Sequence, residues 1–351
     1  MARPSPALGP GFLARLFGIE GVPIALVFVL LIGLFVLAAP TAFTGYRIYM
    51  SFMATVPPPM IVALGLTLVV VAGEIDLSFP SVIAFASYVF CLLYQEHDLT
   101  FLAFAAALGV GVVMGLVNGL VITKLGMPSL IASLAMLFVW GGLVVVVSGG
   151  ISLAIPTIRD TALHAILAGR LGVFPVQFLW ALATAALIWL VLNRHRFGES
   201  LLFIGDSQKV ARVVGIPTDR EKVKLFTLMG GLSAFAGVLL TLETGTYFSQ
   251  AGMGYLLVVV ASVFIGGTSI FGGSGKVIGT VFGALIVAVI EAGLVASGIQ
   301  GFWTRFFIGV VFIVSVTLNT LLEDPDKVPL LRDLRGFTRR LKAPGKGSTA
   351  R

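Results

Sequence analysis

Few residues in this chain could do chemistry, and those few are set in strongly apolar surroundings. Glu74 and Asp76 stand two apart in "GEIDLS" and are followed by Ser78. An acid inside an apolar run is functional by default in a membrane. This one could pass protons, together with Glu291, or offer hydrogen-bond acceptors to a polar solute. Asn118, Thr268 and Ser269 are further polar side chains in such runs. With Glu74, Asp76 and Ser78 they form the candidate lining of a translocation path. The competing role for each is a hydrogen bond between helices, typically about 0.6 kcal/mol. For Asn118, in a glycine-rich helix, that competing role is preferred.

Other patterns exclude chemistry. "GGSGK" at 272–276 is similar in part to a phosphate-binding loop. Such a loop needs a Gly five positions before the Gly-Lys pair and a Ser or Thr after it. Here those positions hold Ile270 and Val277, so ATP is not expected to bind this chain. "GGTS" at 266–269 has no His or Asp partner to activate Ser269 as a nucleophile. Cys91 is alone, and His97, His164 and His195 fall in three different connections, so no metal or cofactor is expected. Transport or signalling fits better than catalysis.

The elements that must hold these residues are membrane helices. Only 11% of the 351 residues are charged and 58% are hydrophobic, against about 25% charged in soluble domains. The mean hydropathy is +1.06. Ten apolar runs are candidate spans: 22–39, 50–73, 77–94, 100–121, 129–148, 174–193, 224–243, 255–271, 277–297 and 302–322. The N-terminal stretch carries no small-residue cleavage site after a short apolar core, so no removable signal peptide is expected. With the N-terminus in the cytoplasm, nineteen Lys and Arg fall inside and four outside, namely Arg47, Arg159, Arg170 and Arg305. That split follows the positive-inside rule and makes both termini cytoplasmic. It also accounts for the net charge of +7. The chain divides into a cytoplasmic segment 1–21, a membrane domain 22–322 with a cytoplasmic loop at 194–224, and a basic tail 323–351. That tail is expected to face anionic lipid rather than nucleic acid.

Two stretches interrupt the apolar pattern. "GDSQKVARVVGIPTDREKVK", 205–224, predicts a polar helix of about two turns, with Asp206 as its N-cap, Gly215 as its left-handed stop and Pro217 barring its continuation. So short a helix needs a partner surface. Between Pro57-Pro58-Pro59 and Glu74 lie fourteen residues, about 21 Å of helix. The hydrocarbon core is about 30 Å thick. Either the prolines or the "GEIDLS" corner therefore lies at membrane depth, as in the broken helices of transporters, or the corner is shallow and its acids are wet. In both cases Ser78 is expected to cap the following helix, with Pro80 in its first turn. Gly111, Gly115 and Gly119, and again Gly275, Gly279 and Gly283, are spaced for close helix packing.

"GEIDLSFPSVIAFAS", "GLVNGLVITKLGMPSLIASLAM", "FGESLLFIGDSQKVARVVGIPTDREKVK" and "VFIGGTSIFGGSGKVIGTVFGALIVAVI" occur in that order. Together they resemble the permease subunit of bacterial ABC importers for ribose, xylose, galactose and related simple sugars, over about residues 45–320. The resemblance implies an all-α inner-membrane protein of about ten transmembrane helices, some of them broken. It implies two permease subunits, this chain with a second copy or a paralogue, above cytoplasmic ATPase subunits that bind the ATP and Mg. A periplasmic solute-binding protein would deliver the solute to loops such as 149–173 and 244–254. The segment 205–217 would be the coupling helix seated in a groove of the ATPase, through Gly205, Asp206, Val210, Ala211, Arg212, Val213, Val214 and Gly215. Where the family often reads Glu-Ala-Ala, this chain reads Gln208-Lys209-Val210. Phe79-Pro80 replaces a common Val-Gly, Glu74 replaces a Gly, and "GYLLVVVAS" at 254–262 lacks the family's acids. A polyol, cyclitol or modified sugar fits these departures as well as ribose does. The rivals are a proton-coupled carrier using Glu74, Asp76 or Glu291, and an ABC permease for nucleosides or branched-chain amino acids.

Overall fold

The computed structural model describes residues 21–97 and 99–323. Apart from Gly21 and Glu323, the N-terminal segment and the basic tail delimited above lie outside those residues. Each of the ten apolar runs contains a helix: α1 Val22–Ala38, α2 Tyr46–Thr55 with α3 Pro57–Val71, α4 Phe79–His97, α5 Thr100–Lys124, α6 Ser129–Ser148, α7 Gln177–Arg194, and, beyond a polar loop with α8 Arg196–Asp206 and α9 Gln208–Val213, α10 Thr218–Thr244, α11 Tyr255–Ile265, α12 Val277–Ala296 and α13 Thr304–Glu323. Seven of these are long and apolar enough to cross a bilayer alone, and α2 with α3 makes an eighth. The membrane body is all-α. Two-residue ribbons decorate one end, pairing Leu153–Ala154 with Thr246–Tyr247 and Arg170–Leu171 with Phe174–Pro175.

The expected span 50–73 is broken. Helices α2 and α3 meet at a bend of 51°. Pro57, Pro58 and Pro59 occupy the first turn of α3. There they cost no hydrogen bond, because the first amides of a helix have no intrahelical partner. All fifteen residues of α3 are buried, which makes it the axis of the bundle. Around it α10 lies along α5 with almost no side chain between them. A Cβ on Gly230 would stand 2.8 Å from the Gly115 Cα, and one on Gly119 would stand 2.9 Å from the Val223 Cα. In lipid, where apolar burial gives no net drive between helices, such backbone approach is what holds them.

Two helices begin inside the bundle. The Ser81 hydroxyl donates to the Leu137 carbonyl at 2.6 Å. Leu137 lies eight residues, about 12 Å, into α6. Helix α4 therefore starts well above the level of Ser129. The chain reaches that point from the end of α3 through the irregular segment 74–78. Helix α11 has 11 residues, about 16 Å, too short to cross. Its last turn rests on the first turn of α12, where a Cβ on Gly266 would stand 2.5 Å from the Thr280 nitrogen. Its approach segment packs on the start of α4, where a Cβ on Gly252 would meet the Pro80 Cα at 2.6 Å. The N-termini of α4 and α11 thus meet in the interior. The triple proline is buried in the bundle, and the 74–78 segment runs inward from Gly73 and Glu74 at one end of it to the buried Asp76 and Ser78.

Candidate functional site

Three backbone segments converge at the end of the bundle that carries Lys124, the 194–224 loop and Lys276, here the basic end. They are the C-terminus of α3, the C-terminus of α8 and the turn 266–276 before α12. The amide of Gly273 donates to the Val71 carbonyl at 2.9 Å. A Cβ on Gly272 would stand 2.9 Å from the Gly73 Cα and 3.1 Å from the Gly205 carbonyl oxygen. One on Gly205 would collide with the Val71 carbonyl and stand 2.5 Å from the Gly273 nitrogen. Gly73, Gly272 and Gly273 also adopt φ of 73°, 82° and 74°, a region that side chains disfavour. Both demands fall together on Gly272, the close approach alone on Gly205 and the φ chiefly on Gly73 and Gly273.

This junction carries the exposed loop. Helix α8 ends at Asp206, so Asp206 does not cap α9 as the sequence predicted. Ser207, extended at φ −158° and ψ 106°, takes the cap position and accepts from the Val210 amide. An extended backbone at the cap frees the side-chain oxygen for the next helix's orphan amides, and a residue still inside α8 cannot reach them. Gly215 does take the left-handed stop, at φ 90°, and the Ile216 amide returns to the Ala211 carbonyl at 3.0 Å. Of the residues assigned to coupling, Val210, Val213 and Val214 are 55%, 86% and 63% exposed, whereas Ala211 is fully buried. Arg212 turns back on its own chain, donating to Thr218 and pairing with Asp219 at 2.9 Å.

The six residues assigned to the path do not form one lining. Glu74 is ion-paired with Lys222 in the first turns of α10, and both side chains are nearly buried. Asp76 accepts from the Ser78 amide at 2.8 Å and from the Ser78 hydroxyl at 2.6 Å. The Ser78 hydroxyl accepts from the Asn118 amide at 2.7 Å, and the Asn118 oxygen accepts from the Trp140 indole at 2.9 Å. Each donor in this row feeds the next and the row ends on a carboxylate, the arrangement in which hydrogen bonds reinforce one another. Asn118 thus has the interhelical role preferred for it. The Ser78 carbonyl receives the first amides of α4, as at a cap position, but its hydroxyl is engaged with Asp76 and Asn118 instead of capping them. Thr268 and Ser269 belong to the glycine turn. Ser269 bonds Ser274 through its amide, and the Thr268 hydroxyl is buried with no hydrogen-bond partner among the described residues. Glu291 lies exposed about 21 Å along α12 from Val277, far from this end. With Glu74 neutralised by Lys222 and Glu291 remote, the three acids do not make a relay.

Sequence reasoning missed Lys222, Trp140, Ser129, whose hydroxyl accepts from the Ile75 amide at 3.0 Å, and the role of Gly73 with Gly272. The glycines were inside the quoted motifs. No local signal names Lys222 or Trp140, because their partners are distant in sequence.

Residues 48–316 match the family described as "Branched-chain amino acid transport system / permease component". Among curated proteins, the chain is 32% identical over 262 residues to a ribose import permease protein of Bacillus subtilis, covering 74% of this chain and 80% of that one. It is 31% identical over 266 residues to an autoinducer 2 import system permease protein of Photorhabdus laumondii, covering 73% and 78%. It is 32% identical over 282 residues to an inner membrane ABC transporter permease protein of Escherichia coli K12, covering 78% and 84%. No solved structure matches the chain. With a family model spanning most of its length and such relatives over three quarters of it, this multi-pass protein of the bacterial inner membrane belongs to the branched-chain amino acid transport system permease family and is an ABC importer permease subunit.

Proposed function

We propose that the chain forms half of the membrane path of an ATP-driven importer for a sugar or sugar-like solute, a pentose, hexose or polyol. One observation carries the coupling part of this reading. The apolar ridge Val210–Val213–Val214 stands exposed on a capped helix whose base is locked, through Gly205, to the wholly buried α3. A partner ATPase that seats this ridge and closes on ATP would move α8, and with it Val71 and the turn leading into α12. The ATP and Mg stay on that ATPase, and this chain binds no cofactor.

On the same reading the basic end and both termini are cytoplasmic, as the positive-inside rule requires. The ten helical segments then form the membrane domain, closed by a second copy or a paralogue. The solute-binding protein docks at the opposite end, where the Leu153↔Tyr247 pairing ties loop 149–173 to loop 244–254. The solute passes near the meeting of the α4 and α11 N-termini, since transporters place their sites where broken helices begin. Weak contacts suffice there, because tight binding would slow release. The relatives' names speak of ribose and autoinducer 2, and the family description speaks of amino acids. The first two favour a polyhydroxylated solute.

The test is co-purification of the ATPase in mild detergent, with Val213→Glu as the comparison. Val213 is almost fully solvent-exposed, so the variant folds. The expected result is an ATPase with the wild type and loss of most of it from the variant. Equal recovery from both sinks the α9 seat, and no ATPase from either sinks the importer reading. Screening the partner binding protein against sugars, polyols and branched-chain amino acids decides the solute class.

A further inference from the structure

An apolar groove of about 770 Å³ runs along the membrane face between α5, α7 and α10. On α10 it extends from Lys224 to Phe235, eleven residues or about 16 Å. That is close to the depth of one leaflet, half of the roughly 30 Å hydrocarbon core. Val112 and Leu116 line it from α5, and Ala183 and Leu187 from α7. Its inner end is closed by aromatic rings, with Trp180 edge-on to Phe235 at 6.1 Å and Phe104 against Phe235 at 6.3 Å. Its mouth is at the basic end, where the Lys224 side chain is 62% exposed. One Lys224 proton is donated to Glu221 at 2.8 Å, and an ammonium has three to give.

We infer that this groove holds one acyl chain of an anionic phospholipid from the leaflet at the basic end, with the lipid phosphate at Lys224. The depth fits a chain rather than a protein side chain. The aromatic rings close it on the side away from the basic end, where the Trp180 indole donates to the Ile166 carbonyl at 2.9 Å. Lys224 is the cation among the groove's lining residues; although paired with Glu221 it keeps protons for a phosphate, and its stem can run along the groove wall. Because Lys224 lies in the second turn of α10, two residues after Lys222, the lipid would brace the helix that pairs with Glu74.

The test uses the full chain in nanodiscs of phosphatidylcholine and phosphatidylglycerol. Trace phosphatidylglycerol or phosphatidylcholine carrying a mid-chain diazirine is photolysed, and the labelled peptides are mapped by mass spectrometry. Labelling by the phosphatidylglycerol probe should concentrate on the groove walls at Val112, Leu116 and Leu187, several-fold above the open face of α1 at Leu30 and Leu34. Lys224→Gln should lower that labelling about fivefold, the weight of one lysine near an anionic headgroup, and leave the phosphatidylcholine probe unchanged. Ala183→Leu, at a groove-facing position, should lower labelling by both probes. Equal labelling of groove and α1 face means only a general lipid annulus and overturns the site. Insensitivity to Lys224→Gln overturns the anionic preference. Cross-linking of a second permease chain through these residues would give the groove to a subunit interface instead.

Discussion

Lys222 pairs with Glu74, joining the start of the long helix α10 to the corner where the chain leaves α3. Both side chains are nearly buried, about a tenth exposed. In such a site the partner left behind costs more than the pair contributed, because an uncompensated charge stays buried. Lys222→Met should therefore lower stability by about 3 kcal/mol, read as thermal unfolding in detergent. Removing both charges, as Lys222→Met with Glu74→Leu, should recover most of that loss. A double variant no more stable than the single one would mean that the pair serves something other than mutual neutralisation.

Gly205 has no room for a side chain. Gly205→Ala drives a methyl group into the Val71 carbonyl and the Gly273 backbone, neither of which can rotate away. The expected cost is about 2 kcal/mol, the scale of overpacking in a tight core. Solute uptake should fall more steeply than ATPase co-purification does, since α9 itself is untouched. Parallel loss of both would place Gly205 in the docking surface rather than in the link behind it.

Gly215 holds φ at 90° and ends α9. Gly215→Val forces a β-branched residue into the left-handed region, at about 1–2 kcal/mol. That strain is local and exposed, so the chain should purify with unchanged thermal stability of its membrane domain. Recovery of the ATPase should drop about tenfold, measured by quantitative mass spectrometry of the co-purified complex. Unchanged recovery would show that the Ala211–Ile216 closure is not needed for docking.

Asn118 has two partners on two other segments. Asn118→Leu strands the Trp140 indole and removes the donor that the Ser78 oxygen accepts from, and should destabilise by about 1–3 kcal/mol. Trp140→Phe removes one donor only and should cost about 0.6 kcal/mol. Neither should alter the apparent KM of solute uptake once expression is equalised. A raised KM in Asn118→Leu alone would return Asn118 to the path.

Much of this protein is legible in one dimension. The ten apolar runs each hold a helix, because a run of apolar residues in lipid must satisfy its backbone within itself. The Pro57-Pro58-Pro59 break, the Gly215 stop and the exposed valines of α9 also follow locally, since each depends on residues within a turn or two. Family membership was legible through four short motifs in order.

What tertiary structure alone decided concerns depth and pairing. Phe79–His97 reads as a helix, but nothing in its sequence says that it begins about 12 Å inside, level with Leu137. The apolar run from 255 reads as a full span, yet its helix stops at Ile265 because Gly266 packs on the first turn of α12. Asp206 and Ser207 are equally good caps by residue type, and only the continuation of α8 through Asp206 gives the cap to Ser207. Glu74 was visible as an acid in an apolar setting, but its Lys222 partner was not, and that partner turns a suspected proton carrier into a fixed strut. Local sequence sets which conformations each segment can take. Which groups meet across the bundle is set by backbone-to-backbone packing, as at Gly73, Gly205 and Gly272, and such contacts exist only once distant segments are brought together.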